Sequence, residues 1–194
     1  MASYAMCHMK LDMQLTESGY KPSKSSPRLS VWLTNALEPA EREVKDLFFQ
    51  QLADEARGAS EVKRQTPIMC VIGNPPYSVS SSNKGPWIEG LMQLYKHGLN
   101  ERNMQPLSDD YVKFIRMGQE AVRSNGKGVL AFISNNSFLD GVLHRKMRAS
   151  LLSDFDKIYV VDLHGSARKK EVASDGMHDA NVLILCKEYR SSSL

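Results

Sequence analysis

Apolar residues along the chain fall into short unbroken runs separated by stretches with helical spacing. Residues 68–72 (IMCVI) and 129–133 (VLAFI) are apolar runs of strand length, and 29–34 (LSVWLT), 157–163 and 181–187 (NVLILCK) read the same way. Helical spacing appears over 4–15, where Met6, Met9 and Met13 recur, although 9–15 also alternates like a strand. Pro39 opens a second helix with Val44, Leu47, Phe48 and Leu52 on one face. A third runs over 110–124, with Ser108 as N-cap, acids in the first turn and a stripe of Tyr111, Phe114, Ile115 and Val122. A fourth covers 141–152. Residues 16–28 and 58–66 read as polar connectors and 126–128 (GKG) as a turn.

Strands separated by helices require crossover connections, so the pattern predicts a parallel sheet with helices on both faces. The step before the last strand holds Gly165 and Gly176 and no helical stripe. A connection without a covering helix suits an antiparallel return. The expected fold class is α/β, a mostly parallel sheet closed by one C-terminal antiparallel strand.

Composition adds limits. The 194 residues carry a net charge of +3, with 42% hydrophobic and 24% charged residues, the make-up of one ordinary soluble domain. No apolar stretch approaches the roughly 18 residues a bilayer requires, and no export signal opens the chain, so a cytoplasmic protein without a membrane partner is expected. Cys7, Cys70 and Cys186 are too scattered for a disulfide framework or a zinc site. The charge permits nucleic-acid binding without arguing for it.

One tetrapeptide carries chemistry: Asn74-Pro75-Pro76-Tyr77, at the C-terminal end of the 68–72 run. In an open parallel sheet that edge is where ligands bind. Each proline restricts the residue before it, so the loop has few conformations and its carbonyls point in fixed directions. Neither proline offers an N–H, which leaves the Asn74 amide oxygen and the Pro75 carbonyl as rigid acceptors. Such a pair suits a planar exocyclic amino group with two hydrogens to donate. Accepting both hydrogens stabilises positive charge growing on that nitrogen as it attacks an electrophilic carbon. Tyr77 supplies a flat wall on which a flipped-out base would stack, worth about 1–3 kcal/mol. The structural alternative is a proline turn with Tyr77 as packing. Chance would produce the full tetrapeptide on the order of once per thousand chains of this size.

The run Ile72-Gly73-Asn74-Pro75-Pro76-Tyr77-Ser78 resembles the amino-group methyltransferases that use S-adenosylmethionine. The closest resemblance is to the adenine-specific N6 DNA methyltransferases of bacterial restriction–modification systems. Residues 108–115 (SDDYVKFI), 128–139 (GVLAFISNNSFL), 158–164 and 179–182 extend the likeness over nearly the whole chain, toward large enzymes that fuse methylase to restriction functions. The resemblance implies a partial Rossmann-like methyltransferase fold and S-adenosylmethionine as cofactor. It also implies a flipped adenine of DNA as substrate, and restriction–modification subunits or further domains as partners. Asn74, Pro75, Pro76 and Tyr77 would form the catalytic loop, and Asn74 and Phe114 would touch the cofactor.

The family's glycine-rich cofactor turn has no counterpart, because Gly126 and Gly128 lie between a helix and a strand rather than at a helix start. The acid that holds the cofactor ribose has no candidate upstream of Leu29. Residues 1–194 are therefore expected to be the C-terminal part of a methyltransferase catalytic domain, without the glycine-rich motif or a target-recognition domain. Lys84, in a polar loop after the tetrapeptide, and Arg168, Lys169 and Lys170, in a glycine-bounded loop, are candidates to neutralise DNA phosphates. Arg145, Lys146 and Arg148 read as a solvated face. His164 and His178 lack metal spacing, no metal is expected, and Asp162 with His164 has no nucleophile elbow to complete a triad. Two other readings stay open: methylation of another planar nitrogen, a protein glutamine or an rRNA guanine, and a non-catalytic remnant that binds DNA or a partner.

Overall fold

The computed structural model describes residues 2–21, 23, 28–40, 50–78, 80–162 and, for the backbone, 183–190. The chain forms two units, Met1–Thr66 and Pro67–Leu194.

In the first unit, α1 (Ala2–Glu17) and α2 (Gln50–Gln65) are the described helices. The expected helix over 4–15 is present; that opened by Pro39 falls largely on 41–49, outside the described residues. The connector predicted over 58–66 is instead the second half of α2. Gly58 weakens the helical signal there, but the Trp32 indole lies where a Gly58 Cβ would be, 2.4 Å from its ideal position. Residues 29–34 form no strand. Their backbone groups are held by side chains instead of a sheet partner: Glu55 accepts the Leu33 N–H and the Arg28 guanidinium donates to the Val31 carbonyl. The Lys63 ammonium donates to the carbonyls of Asn35 and Glu38.

The second unit is built on four strands: β1 (Cys70–Gly73), β2 (Lys127–Ser134), β3 (Lys157–Asp162) and β4 (Leu183–Arg190). Their order is β1-β2-β4-β3. β1 pairs parallel with β2, whereas β4 pairs antiparallel with both β2 and β3. The reversed last strand is as predicted, but it enters the sheet between β2 and β3 instead of closing an edge. Strand order depends on crossovers that no local pattern encodes.

Helix α4 (Asp110–Asn125) packs on β1 and β2, with Gly118 facing Leu130, Val71 and Phe132. Helices α3 (Pro86–Lys96) and α6 (Arg145–Asp154) pack on α4, so these three helices lie in layers on one side of the sheet. Within this unit the expected cover on both faces is not seen among the described residues, and Ile72 on the other face is 79% exposed. α3 has no counterpart in the sequence pattern above, although Pro86 at its start, Glu89 in its first turn and buried Ile88, Met92 and Tyr95 mark it. The helix expected over 141–152 is a 3-10 turn Val142–His144 followed by α6, and a short helix α5 (Ser137–Asp140) precedes it. Ser108 belongs to the 3-10 turn Gln105–Ser108, and Asp109 takes the N-cap position with its carboxylate turned to Ser78.

Gly126 ends α4 in the left-handed region, φ 77°, and Gly128 sits at φ 157° with the Met69 carbonyl oxygen 2.4 Å from where its Cβ would be. Backbone cannot yield there as a side chain can. Gly128→Ala is expected to cost about 1–3 kcal/mol by denaturant unfolding, through strain and parting of β1 from β2.

Candidate functional site

β1 and β2 run parallel and end side by side, so the loop after Gly73 and that after Ser134 rise at one edge of the sheet. Asn74, Pro75, Pro76 and Tyr77 lie on the first of these loops. Pro75 is buried; Asn74 and Pro76 are exposed, and Tyr77 is 49% exposed. The Tyr77 hydroxyl lies 3.2 Å from the Asn74 Oδ1 and 3.4 Å from the Ile133 carbonyl, and can donate to either. One ring therefore ties the end of β1 to the end of β2 while keeping a face toward solvent. Burial, and then the charge of Asp109, raise the Tyr77 phenol above its ordinary value of 10.0, so it is a neutral donor at physiological pH.

Behind Tyr77 lies Tyr111, ring centroids 6.2 Å apart, and behind Tyr111 lies Phe138 at 6.4 Å. The Tyr111 hydroxyl is 3.2 Å from the Ser137 Oγ and 3.4 Å from the His144 Nε2. Burial pushes its phenol up to about 12. Burial and then the Arg148 charge lower His144, which favours its neutral form. Tyr111 thus closes the back of the loop as a fixed apolar wall with a satisfied hydroxyl. The sequence placed it on the core stripe of α4; its contact with Tyr77 depends on tertiary packing.

The other expected site residues lie apart. Phe114, a turn beyond Tyr111, is half-buried and makes no ring contact with Tyr77 among the described residues. Lys84 is exposed just before α3. Arg168, Lys169 and Lys170 lie outside the described residues, as do His164 and His178. Arg145 and Arg148 are more than a solvated face. Arg145 donates to the Leu99 and Val142 carbonyls, and Arg148 to those of Phe138 and Gly141. Missed by sequence reasoning was a buried polar cluster around Asp109, Asp110 and Lys113 that grips the residues following Tyr77.

The loop and its half-open aromatic thus lie at the C-terminal edge of a parallel strand pair, the edge at which open α/β sheets bind ligands. A family model for the Eco57I restriction-modification methylase matches residues 23–168, and the chain belongs to that family. Among solved structures it is similar to the ATP-dependent Type ISP restriction-modification enzyme LlaBIII bound to DNA. That match has a TM-score of 0.78 at 24% identity, over 99% of this chain and 14% of that one. It is similar too to a nuclease-deletion mutant of the Type ISP enzyme LlaGI in complex with a DNA substrate mimic, at 0.78 and 23%, over 100% and 17%. A DrdV–DNA complex matches at 0.55 and 22%, over 74% and 15%. These likenesses show the fold, and the chain spans about a sixth of those enzymes' length or less. No curated protein matches.

Proposed function

We propose that this chain supplies the base-binding part of a DNA adenine-N6 methyltransferase that uses S-adenosylmethionine within a restriction–modification enzyme. The observation that carries the reading is the Asn74–Tyr77 loop. It holds an exposed Asn74 amide beside the half-exposed Tyr77 ring at the C-terminal edge of β1, on a segment whose two prolines carry no N–H. The Asn74 Oδ1 and the Pro75 carbonyl accept the two hydrogens of the adenine amino group, and Tyr77 stacks on the extruded base. The Tyr77 hydroxyl bond to Asn74 orients the amide and leaves its oxygen a second lone pair for the base.

S-adenosylmethionine supplies an electrophilic methyl group when bound. The Asn74 amide and the half-exposed Tyr77 ring suit the amino-group side of this chemistry. The buried acids next to the loop accept from the chain itself through one oxygen each, Asp109 Oδ1 from the Ser78 N–H and Asp110 Oδ1 from Ser81 and Asn83. In this reading Asn74 and Phe114 are candidate contacts for the donor, and Lys84 with Arg168, Lys169 and Lys170 are candidate phosphate contacts.

The test is fluorescence anisotropy of the chain with a labelled duplex carrying adenine opposite an abasic position, against the same duplex with purine, which lacks the amino group. Tighter binding of adenine is expected, and Tyr77→Ala should weaken both duplexes by about 5- to 150-fold, the equivalent of 1–3 kcal/mol of stacking. Equal affinity for adenine and purine would overturn the reading. A preference for guanine, or for a glutamine peptide, would move it to another planar nitrogen.

A further inference from the structure

Immediately after Tyr77, three polar residues are drawn onto the first two turns of α4. The Ser78 N–H donates to the Asp109 Oδ1 at 2.9 Å, and the Ser78 carbonyl accepts from the Asp110 N–H at 3.3 Å. Ser81, itself buried, donates its hydroxyl to the Asp110 Oδ1 at 2.6 Å, and the Asn83 Nδ2 reaches the same oxygen at 3.0 Å. Lys113, wholly buried one turn on, donates to the Ser81 Oγ at 3.1 Å and to the Asn83 carbonyl, and pairs with Glu89 of α3 at 3.2 Å. Apart from the Lys113–Glu89 pair, these contacts run from the segment that leads out of the loop to the start of the helix that carries Tyr111.

The arrangement costs more than a solvated loop would, because a buried ammonium and two buried carboxylates must be desolvated. Apolar side chains at 81, 110 and 113 would hold the same elements together without that cost. What they would not do is fix the chain's direction: hydrogen bonds to Ser78, Ser81 and Asn83 set its path within tenths of an ångström, where apolar packing leaves it free to slide.

We propose that Ser81, Asp110 and Lys113 form a buried clasp whose role is to position Tyr77 and the Asn74 amide for an incoming base. These are positioning residues, and the inference rests on the base-binding reading above for what the loop receives. Rigidity at one end of the loop comes from the two prolines, and at the other end from this clasp.

The test uses the 194-residue chain with Ser81→Ala, Asp110→Ala and the conservative Asp110→Asn, which keeps an acceptor for Ser81 and Asn83. Hydrogen exchange by NMR reads the amides of Tyr77, Ser78 and Ser81, and anisotropy with the adenine duplex reads the site. Exchange at these amides should rise at least tenfold in both alanine variants, unchanged in β2, with adenine affinity falling at least fivefold, and Asp110→Asn should restore both. Ser81→Ala removes one hydroxyl outside any helix, so it carries the test where Asp110→Ala does not fold. Unchanged exchange in folded Ser81→Ala would overturn the clasp, and so would raised exchange with undiminished adenine affinity. Should the unmodified chain bind no adenine duplex, the base-binding reading fails by itself. The exchange data then still decide whether the clasp orders the loop.

Discussion

Asn74→Ala is expected to reduce methyl transfer to adenine about 10²- to 10³-fold in an enzyme carrying this site, the range for loss of one preorganised hydrogen-bonding group at a reacting centre. Asn74 is exposed, and the Tyr77 hydroxyl that donates to its Oδ1 lies within reach of the Ile133 carbonyl as well. The variant's melting temperature should therefore stay within a degree or two of the parent's. The loss should fall on kcat rather than on DNA affinity, because the Asn74 acceptor matters most once the amino nitrogen begins to carry positive charge. Asn74→Asp separates acceptor from amide. It keeps an oxygen within reach of the base and of the Tyr77 hydroxyl, and should retain more rate than Asn74→Ala. Single-turnover incorporation of labelled methyl groups checks both. A loss in Asn74→Ala matched by an equal loss of DNA affinity would move the residue from the reacting centre to general binding.

The loop's place was legible because its constraint is local: Asn-Pro-Pro-Tyr after an apolar run marks where the chain leaves the sheet without reference to the rest of the chain. β1, β2, β3, α1 and α4 were legible for a similar reason, each carrying its own period. Residues 29–34 have the same apolar density as β1, yet Trp32 rests on Gly58 and the segment joins no sheet. An apolar run alone does not make a strand; a partner does.

The buried polar cluster was illegible for the opposite reason. Lys113, Arg116 and Gln119 lie on α4 away from its apolar stripe, yet all three are buried where α3 and α6 pack on the helix. Gln119 accepts from the Tyr95 hydroxyl and donates to Ser150 and Asp154, and Arg116 donates to the Leu91 carbonyl and Glu120. With α3 missing from the pattern, nothing could suggest that this face had a neighbour. A helix with both faces buried, one apolar and one hydrogen-bonded, looks amphipathic in sequence and behaves as core.

That distinction gives Lys113 the largest expected effect on stability. Lys113→Met preserves length and apolar bulk but removes the cation facing Glu89 and the donor to Ser81 and Asn83, leaving their acceptors desolvated. Breaking a buried pair from one side costs about 3–5 kcal/mol. Glu89 keeps a third of its side chain exposed and a second partner, Lys96 at 2.8 Å, so about 3 kcal/mol is expected here. The pH dependence should identify the cause. Burial alone would raise the Glu89 carboxyl, but the hydrogen bonds and charges of Lys96 and Lys113 outweigh it and hold the group below its ordinary value of 4.5. A depressed carboxyl stabilises the fold in full above its unfolded value, and that contribution is lost as pH falls through the folded one. Stability of the parent chain should therefore decline on acidification below pH 4.5. Lys113→Met, with Glu89 closer to its unfolded value, should start lower at neutral pH and decline less steeply. Urea unfolding at pH 7 and at a series of values below 4.5 reads both effects. Parallel curves for the two proteins would mean that Lys113 acts by packing alone.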